Sequence, residues 1–90
     1  MNHPRIIKKY PNRRLYDTEC SKYITLEDIR VLVIDNKEFV VVDAKTKKDL
    51  TKYILLQIVF EKEQDSSSFF STEMLTQIIR SYEYEDLGKK

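Results

Sequence analysis

No unbroken apolar run in this chain of 90 residues exceeds four residues, and that ceiling limits what it can fold into. A membrane-spanning helix needs about 20 consecutive apolar residues, so no membrane partner is expected. The run Phe39 to Val42 (FVVV) is β-branched and apolar on both faces, and it reads as the central, most buried strand. A chain this short fits one domain with a thin core and leans readily on a partner chain.

Around that strand the pattern predicts an α+β domain. Residues 5–10 (RIIKKY) suit a short strand, Pro11-Asn12 a turn, and Arg14 to Asp17 (RLYD) the returning strand. Thr18 to Ser21 reads as a second turn and Lys22 to Ile24 as a third strand. Helices are expected at about 26–35, 51–63 and 72–82, with the central strand at 39–43 and a polar turn over Asp43 to Lys48. Thr25 looks like the first N-cap, and Asp28 closes a box resembling the capping box, although Asp is shorter than Glu or Gln. Leu26, Ile29, Leu32 and Val33 share one face of that helix, which should end near Asp35-Asn36. The second helix is apolar at Ile54, Leu55, Leu56, Ile58, Val59 and Phe60. That is more than one stripe, so it is either wrapped by the fold or shared with another subunit. Gln64 to Ser68 reads as a linker. In the third helix Met74, Leu75, Ile78, Ile79 and Tyr82 form a single stripe, either core or association surface, and Glu83 to Lys90 should fray. The expected organisation is a domain at 1–65 followed by a linker and amphipathic helix at 66–90. The oligomerisation surface of a homodimer or homotetramer is expected at Leu55, Ile58, Val59, Met74, Leu75, Ile78 and Ile79.

A weak duplication runs at a spacing of 26: Asp17 matches Asp43, Lys22 matches Lys48, Thr25 matches Thr51 and Val33 matches Val59. These four identities among eighteen aligned pairs are little above chance, but both segments read as strand, polar turn, short strand and Thr-capped helix.

Most catalytic chemistry is excluded by composition. The one glycine is Gly88, so no glycine-rich phosphate loop can be written. One cysteine, Cys20, and one histidine, His3, allow neither a disulfide within the chain nor a usual Cys/His zinc site. Cys20 has no histidine in sequence range to serve as its base. Asp17 and Asp43 each follow a strand and precede a turn, where capping is the usual role of aspartate. The chain is therefore expected to be non-enzymatic, with no catalytic residue, metal or cofactor. Its N-terminus lacks the apolar segment of a secretory signal, which suits a cytoplasmic protein.

Charge is unevenly placed. The total is +1 with a pI near 7.8, yet residues 1–25 carry Arg5, Lys8, Lys9, Arg13, Arg14 and Lys22 against Asp17 and Glu19, a net of +4. The rest carries ten bases and thirteen acids, a net of −3. Within the basic head, Lys8, Lys9, Tyr10, Asn12, Arg13, Arg14 and Tyr16 are the candidate DNA-binding residues. Lysine and arginine displace counterions from phosphates, an arginine reaches the guanine O6/N7 edge, and an asparagine amide suits adenine. A two-stranded ribbon is narrow enough for the major groove. A solvated strand edge or an acidic protein partner would also use such cations. Tyr16 and Tyr23 are read as core residues with their hydroxyls at the surface, and Tyr10 is left open.

The string Ile7-Lys8-Lys9-Tyr10-Pro11-Asn12-Arg13-Arg14-Leu15-Tyr16-Asp17-Thr18 resembles the opening of the polyhydroxyalkanoate synthesis repressor family. The resemblance continues through Ser21, Tyr23 to Ile29, Val42 to Thr46, Asp49 to Thr51 and Leu55 to Ile58, covering roughly residues 5–63. It implies that residues 1–65 are the DNA-binding accumulation-regulator domain of a repressor. In that family the regulator controls genes for polyhydroxybutyrate granule proteins, notably phasins, and binds the polymer, which releases it from promoter DNA. Double-stranded promoter DNA is thus the implied partner, and polyhydroxybutyrate polymer or granules a further one. Asn36-Lys37 stands where members tend to carry a glycine, and asparagine tolerates the left-handed turn. Past about Arg80 the chain does not continue as longer members do, so a separate polymer-binding segment is not expected in it. The alternative function is a granule-surface or protein-interaction module that binds polymer or a phasin-like partner through its apolar helix stripes.

Overall fold

The structure is a computed structural model, and it describes residues 3–65 and 69–88. Seven elements follow in the order β1 (Arg5–Lys9), β2 (Leu15–Asp17), β3 (Lys22–Ile24), α1 (Leu26–Ile34), β4 (Phe39–Asp43), α2 (Thr51–Gln64) and α3 (Thr72–Gly88). The expected α+β class is what folds. Two compact units divide the chain, residues 1–59 and 60–90.

In the first unit the four strands form one sheet in the order β3-β2-β1-β4. β1 pairs antiparallel with β2 and parallel with β4. Phe39 to Val42 is therefore the outer strand, not the central one, and β1 and β2 hold the interior positions. The expectation of a buried strand survives at Val41, which is fully buried. The outer side of β4 is occupied by its own return segment. The Asp43 N–H donates to Lys48 O, the Leu50 N–H to Val41 O, and the Val41 N–H to Thr51 Oγ1. These bonds satisfy backbone groups that an open strand would leave for a stray partner.

Alternation along the strands sends Ile7, Leu15 and Val41 to one face, where Ile29 of α1 and Ile54 of α2 complete a five-residue buried core. Ile24, Leu26, Leu32, Phe39, Leu50 and Ile58 pack around it half-buried. Val33 was expected on this face but is 43% exposed.

Helix α1 starts as its sequence requires. Thr25 Oγ1 accepts the Asp28 N–H and the Asp28 carboxylate accepts the Thr25 N–H, so the capping box closes with the shorter acid. It ends in a left-handed turn at Asn36, φ 57°, with the Lys37 N–H reaching Leu32 O and the Asn36 N–H reaching Val33 O. Asparagine does serve where glycine is usual. In α2, Thr51 is not the cap. Its hydroxyl is committed to β4, and the Asp49 carboxylate accepts the Thr51 N–H instead.

The spacing-26 duplication has a structural counterpart. Tyr16 pairs with Tyr23 in β2–β3, and the positions 26 residues on, Val42 and Asp49, form the corresponding bridge. Asp17 accepts the Glu19 N–H and Asp43 accepts the Lys45 N–H; Ser21 and Lys47 both take positive φ, 56° and 68°. Each segment then enters a helix.

The Thr46 and Lys45 N–H groups hold the Asp43 carboxyl below its ordinary pKa, and the Thr51 N–H does the same for Asp49. A carboxyl depressed in the folded state contributes stability above its unfolded value, about 3.9, and loses that contribution as pH falls through the folded value. Resistance to urea should therefore decline as the medium is acidified below about pH 4. Asp43→Asn with Asp49→Asn should flatten that decline, and an unchanged acid profile would show the two turns to be irrelevant to it.

In the second unit α3 continues to Gly88, beyond the expected stop at Tyr82. Met74, Leu75, Ile78, Ile79 and Tyr82 are all exposed. Ser66 to Ser68 of the expected linker lie outside the described residues, and Gln64 closes α2.

Candidate nucleic-acid interface

The β1–β2 hairpin is built by its sequence. Tyr10 and Arg14 close a three-residue loop through the Tyr10 N–H donating to Arg14 O, and the Arg13 N–H donates back to Tyr10 O. Pro11 supplies a preset φ at the first bend. The Asn12 side-chain oxygen accepts the Arg14 N–H at 3.1 Å, so this amide serves the turn first. Arg13 takes φ 70°, a left-handed conformation that costs a Cβ-bearing residue about 1–2 kcal/mol. The loop therefore ends on an arginine where glycine would be relaxed.

Pairing distributes the cations. Lys8 lies opposite Tyr16 and Lys9 opposite Leu15, so the two lysines leave on opposite faces of the sheet. They do not make a one-sided ribbon. What they share with Arg13 and Arg14 is one end of the sheet, where β1 finishes and the loop begins. Among the described residues none of Lys8, Lys9, Arg13 and Arg14 enters an ion pair. Arg5, counted in the basic head, is different. It contacts Asp17 at 3.3 Å and Glu19 at 3.2 Å at the far end of β1, so its charge is already matched within the chain. Asp17, 2% exposed, also accepts from the Glu19 N–H and the Cys20 thiol. That thiol bond pushes the Cys20 pKa up, so Cys20 is a poor nucleophile.

Tyr23 was read as core but is 53% exposed. Its ring packs edge-on against Tyr16 at 5.2 Å and Tyr10 at 6.5 Å, and the Arg14 guanidinium lies 4.8 Å from its centroid. Tyr16 and Tyr10 are half-buried. The sequence signal for Tyr23 was available: with Leu15 and Ile24 directed inward, their neighbours Tyr16 and Tyr23 must face outward. Tyr23 thus supports Arg14 from beneath while leaving its N–H edge open to acceptors. Lys9, Arg13 and Arg14 also line a cleft of about 610 Å³ floored by Leu15 and Ile54, with no carboxylate in its wall. Among the described residues no three His, Cys, Asp or Glu side chains converge as metal ligands would.

Residues 6–66 match the PHB/PHA accumulation regulator DNA-binding domain, where PHB and PHA denote polyhydroxybutyrate and polyhydroxyalkanoate. The chain belongs to that family. The matched stretch contains the sheet apart from Arg5 at the start of β1, both core helices and the basic hairpin. A Thiocystis violacea protein described only as an uncharacterized protein in the phbA 5′ region is 60% identical over 82 residues, which are 91% of this chain and 59% of that protein. An uncharacterized protein of Allochromatium vinosum is 57% identical over 82 residues, 91% of this chain and 54% of its own length. The chain thus spans between half and three fifths of these relatives. No solved structure matches it. No helix among the described residues is long and apolar enough to cross a membrane.

If Tyr23 holds Arg14 for DNA, Tyr23→Phe should retain affinity for a duplex and Tyr23→Leu should lose about threefold, the scale of an exposed cation–π contact. The loss should vanish in an Arg14→Ala background. A Tyr23→Leu loss that persists there would reveal a separate role for the ring.

Proposed function

We propose that this chain is the DNA-binding part of a repressor of polyhydroxyalkanoate synthesis and granule-associated phasin genes, acting on double-stranded promoter DNA. The observation that carries this reading is the hairpin end, where Lys8, Lys9, Arg13 and Arg14 share one pole of the sheet, none of them in an ion pair among the described residues, and one arginine occupies a strained loop position. Lys8 and Lys9 neutralise phosphates, while Arg13 and Arg14 reach base edges or the adjacent backbone. Tyr10 and Tyr16 shape the aromatic platform with Tyr23 and donate hydroxyls to phosphate. Asn12 chiefly fixes the loop that presents Arg13 and Arg14. Membership in the DNA-binding family supports the same reading, and the chemistry required of the chain is binding, not catalysis.

Association of two or four copies would set two hairpins on one duplex. Val59, Met74, Leu75, Ile78 and Ile79 are exposed apolar residues suited to that association. Leu55 and Ile58 are half-buried, and Ile58 packs against the core, so these two contribute less. The same stripe on α3 favours the second reading, a module that binds granules or a phasin-like protein. A reporter driven by a phasin promoter separates the two. Repression by the chain that is relieved by Arg13→Ala with Arg14→Ala supports the DNA reading. Unrelieved repression removes the two arginines from the role, and co-sedimentation with granules without promoter binding supports the module.

A further inference from the structure

The hairpin is not the only basic turn at its end of the sheet. Because β1 and β4 run parallel, both finish at the same pole: Lys9 pairs with Asp43, and the Ala44 N–H donates to Lys9 O at 2.9 Å. The chain leaving β4 therefore bends beside the chain leaving β1. That bend carries Lys45, Lys47 and Lys48, all exposed, and among the described residues none of them enters an ion pair. The Lys47 ammonium donates to the Ala44 carbonyl, at 3.1 Å.

Turn geometry does not demand Lys45 and Lys47. The duplicated turn at the opposite pole, residues 18–22, has the matching register, the same aspartate-to-backbone bond and the same positive φ near its end, yet its one base is Lys22, the counterpart of Lys48, and Glu19 stands where Lys45 does. Position 21 is serine and its counterpart is Lys47, held at φ 68° where a Cβ is disfavoured. The two poles differ in charge accordingly. At one, Arg5 is neutralised by Asp17 and Glu19, and Lys22 lies opposite Asp17. Lys8, Lys9, Arg13, Arg14, Lys45, Lys47 and Lys48 gather at the other against the carboxylates of Asp43 and Asp49, each committed to backbone N–H groups.

We infer that the 44–48 turn is a second phosphate-binding element of the DNA interface, gripping the backbone beside the groove that the hairpin addresses. This rests on the DNA-binding reading of the hairpin. Strands lie about 4.8 Å apart, so from β2 across β1 and β4 to the 48–50 segment the pole is about 14 Å wide. The major groove is about 12 Å wide. With the hairpin over the groove, the second turn falls on a flanking phosphate ridge. Phosphate contacts fix register and carry no sequence information.

The test compares forms of the whole chain on a promoter duplex and an unrelated duplex across a salt series, beginning with wild type, Arg13→Ala with Arg14→Ala, and Lys45→Ala with Lys47→Gly and Lys48→Ala. The triple variant should lower affinity for both duplexes alike and reduce the magnitude of the log–log salt slope by about 2 to 3. Glycine suits the left-handed position 47, and a second variant, Lys45→Gln with Lys48→Gln, leaves that position untouched in case the triple change disturbs folding. An unchanged slope in both lysine variants, while the arginine variant loses binding, overturns this inference and spares the hairpin reading. Unchanged binding in all variants overturns both.

Discussion

Arg13→Ala with Arg14→Ala should weaken binding to a promoter duplex by about 100-fold, since each well-placed guanidinium contributes about 1–3 kcal/mol. Loss of fold should not be the cause, because both side chains are exposed and neither enters an ion pair among the described residues. Arg13→Gly sharpens the point. At φ 70° glycine relieves left-handed strain, so stability should hold or rise by up to about 1 kcal/mol while DNA affinity falls. Tighter binding by the glycine variant would mean that Arg13 serves the loop and not the DNA. Isothermal titration for affinity and urea midpoints for stability report the two effects separately.

Ile29→Ala should have the largest effect on stability. Ile29 is fully buried and is the one residue of α1 in the five-residue core. Truncating such a residue costs about 2–5 kcal/mol. A unit of 59 residues is expected to have about 3–9 kcal/mol in total. The variant should thus lose most of its cooperative urea transition, whereas Ile7→Val, at about 0.5–1.5 kcal/mol, should keep it. A cooperative transition near the wild-type midpoint in Ile29→Ala would mean that α1 is not held by this core.

Which features were legible in the sequence follows from the range of the interactions behind them. Helix α1 is legible almost to the residue because Thr25, Asp28, the spacing of Leu26, Ile29 and Leu32, and Asn36 all act within a few positions. The hairpin is legible for the same reason, through Pro11, Asn12 and the alternation of RLYD. The place of β4 is not. Phe39 to Val42 looks central because both faces are apolar, but strand order is decided by parallel pairing with residues 34 positions earlier, Arg5 with Phe39. The bonds that occupy its outer side come from Lys48, Leu50 and Thr51, which read only as turn and helix start. The pairing of Arg5 with Asp17 also depends on register, so a count of charges along the chain overstates the basic head. The 44–48 lysines look like an ordinary solvated turn until the parallel pairing sets them beside Lys9. The duplication is nearly invisible in identities, because a shared backbone path needs only a matched pattern of strand, aspartate turn and helix.

Affinity of the intact chain for duplex DNA as a function of salt tests the claim that unpaired cations at one end of the sheet bind phosphates. Four such contacts give a log–log slope of about −3.6, and the second turn makes it steeper. An affinity indifferent to salt would contradict the account.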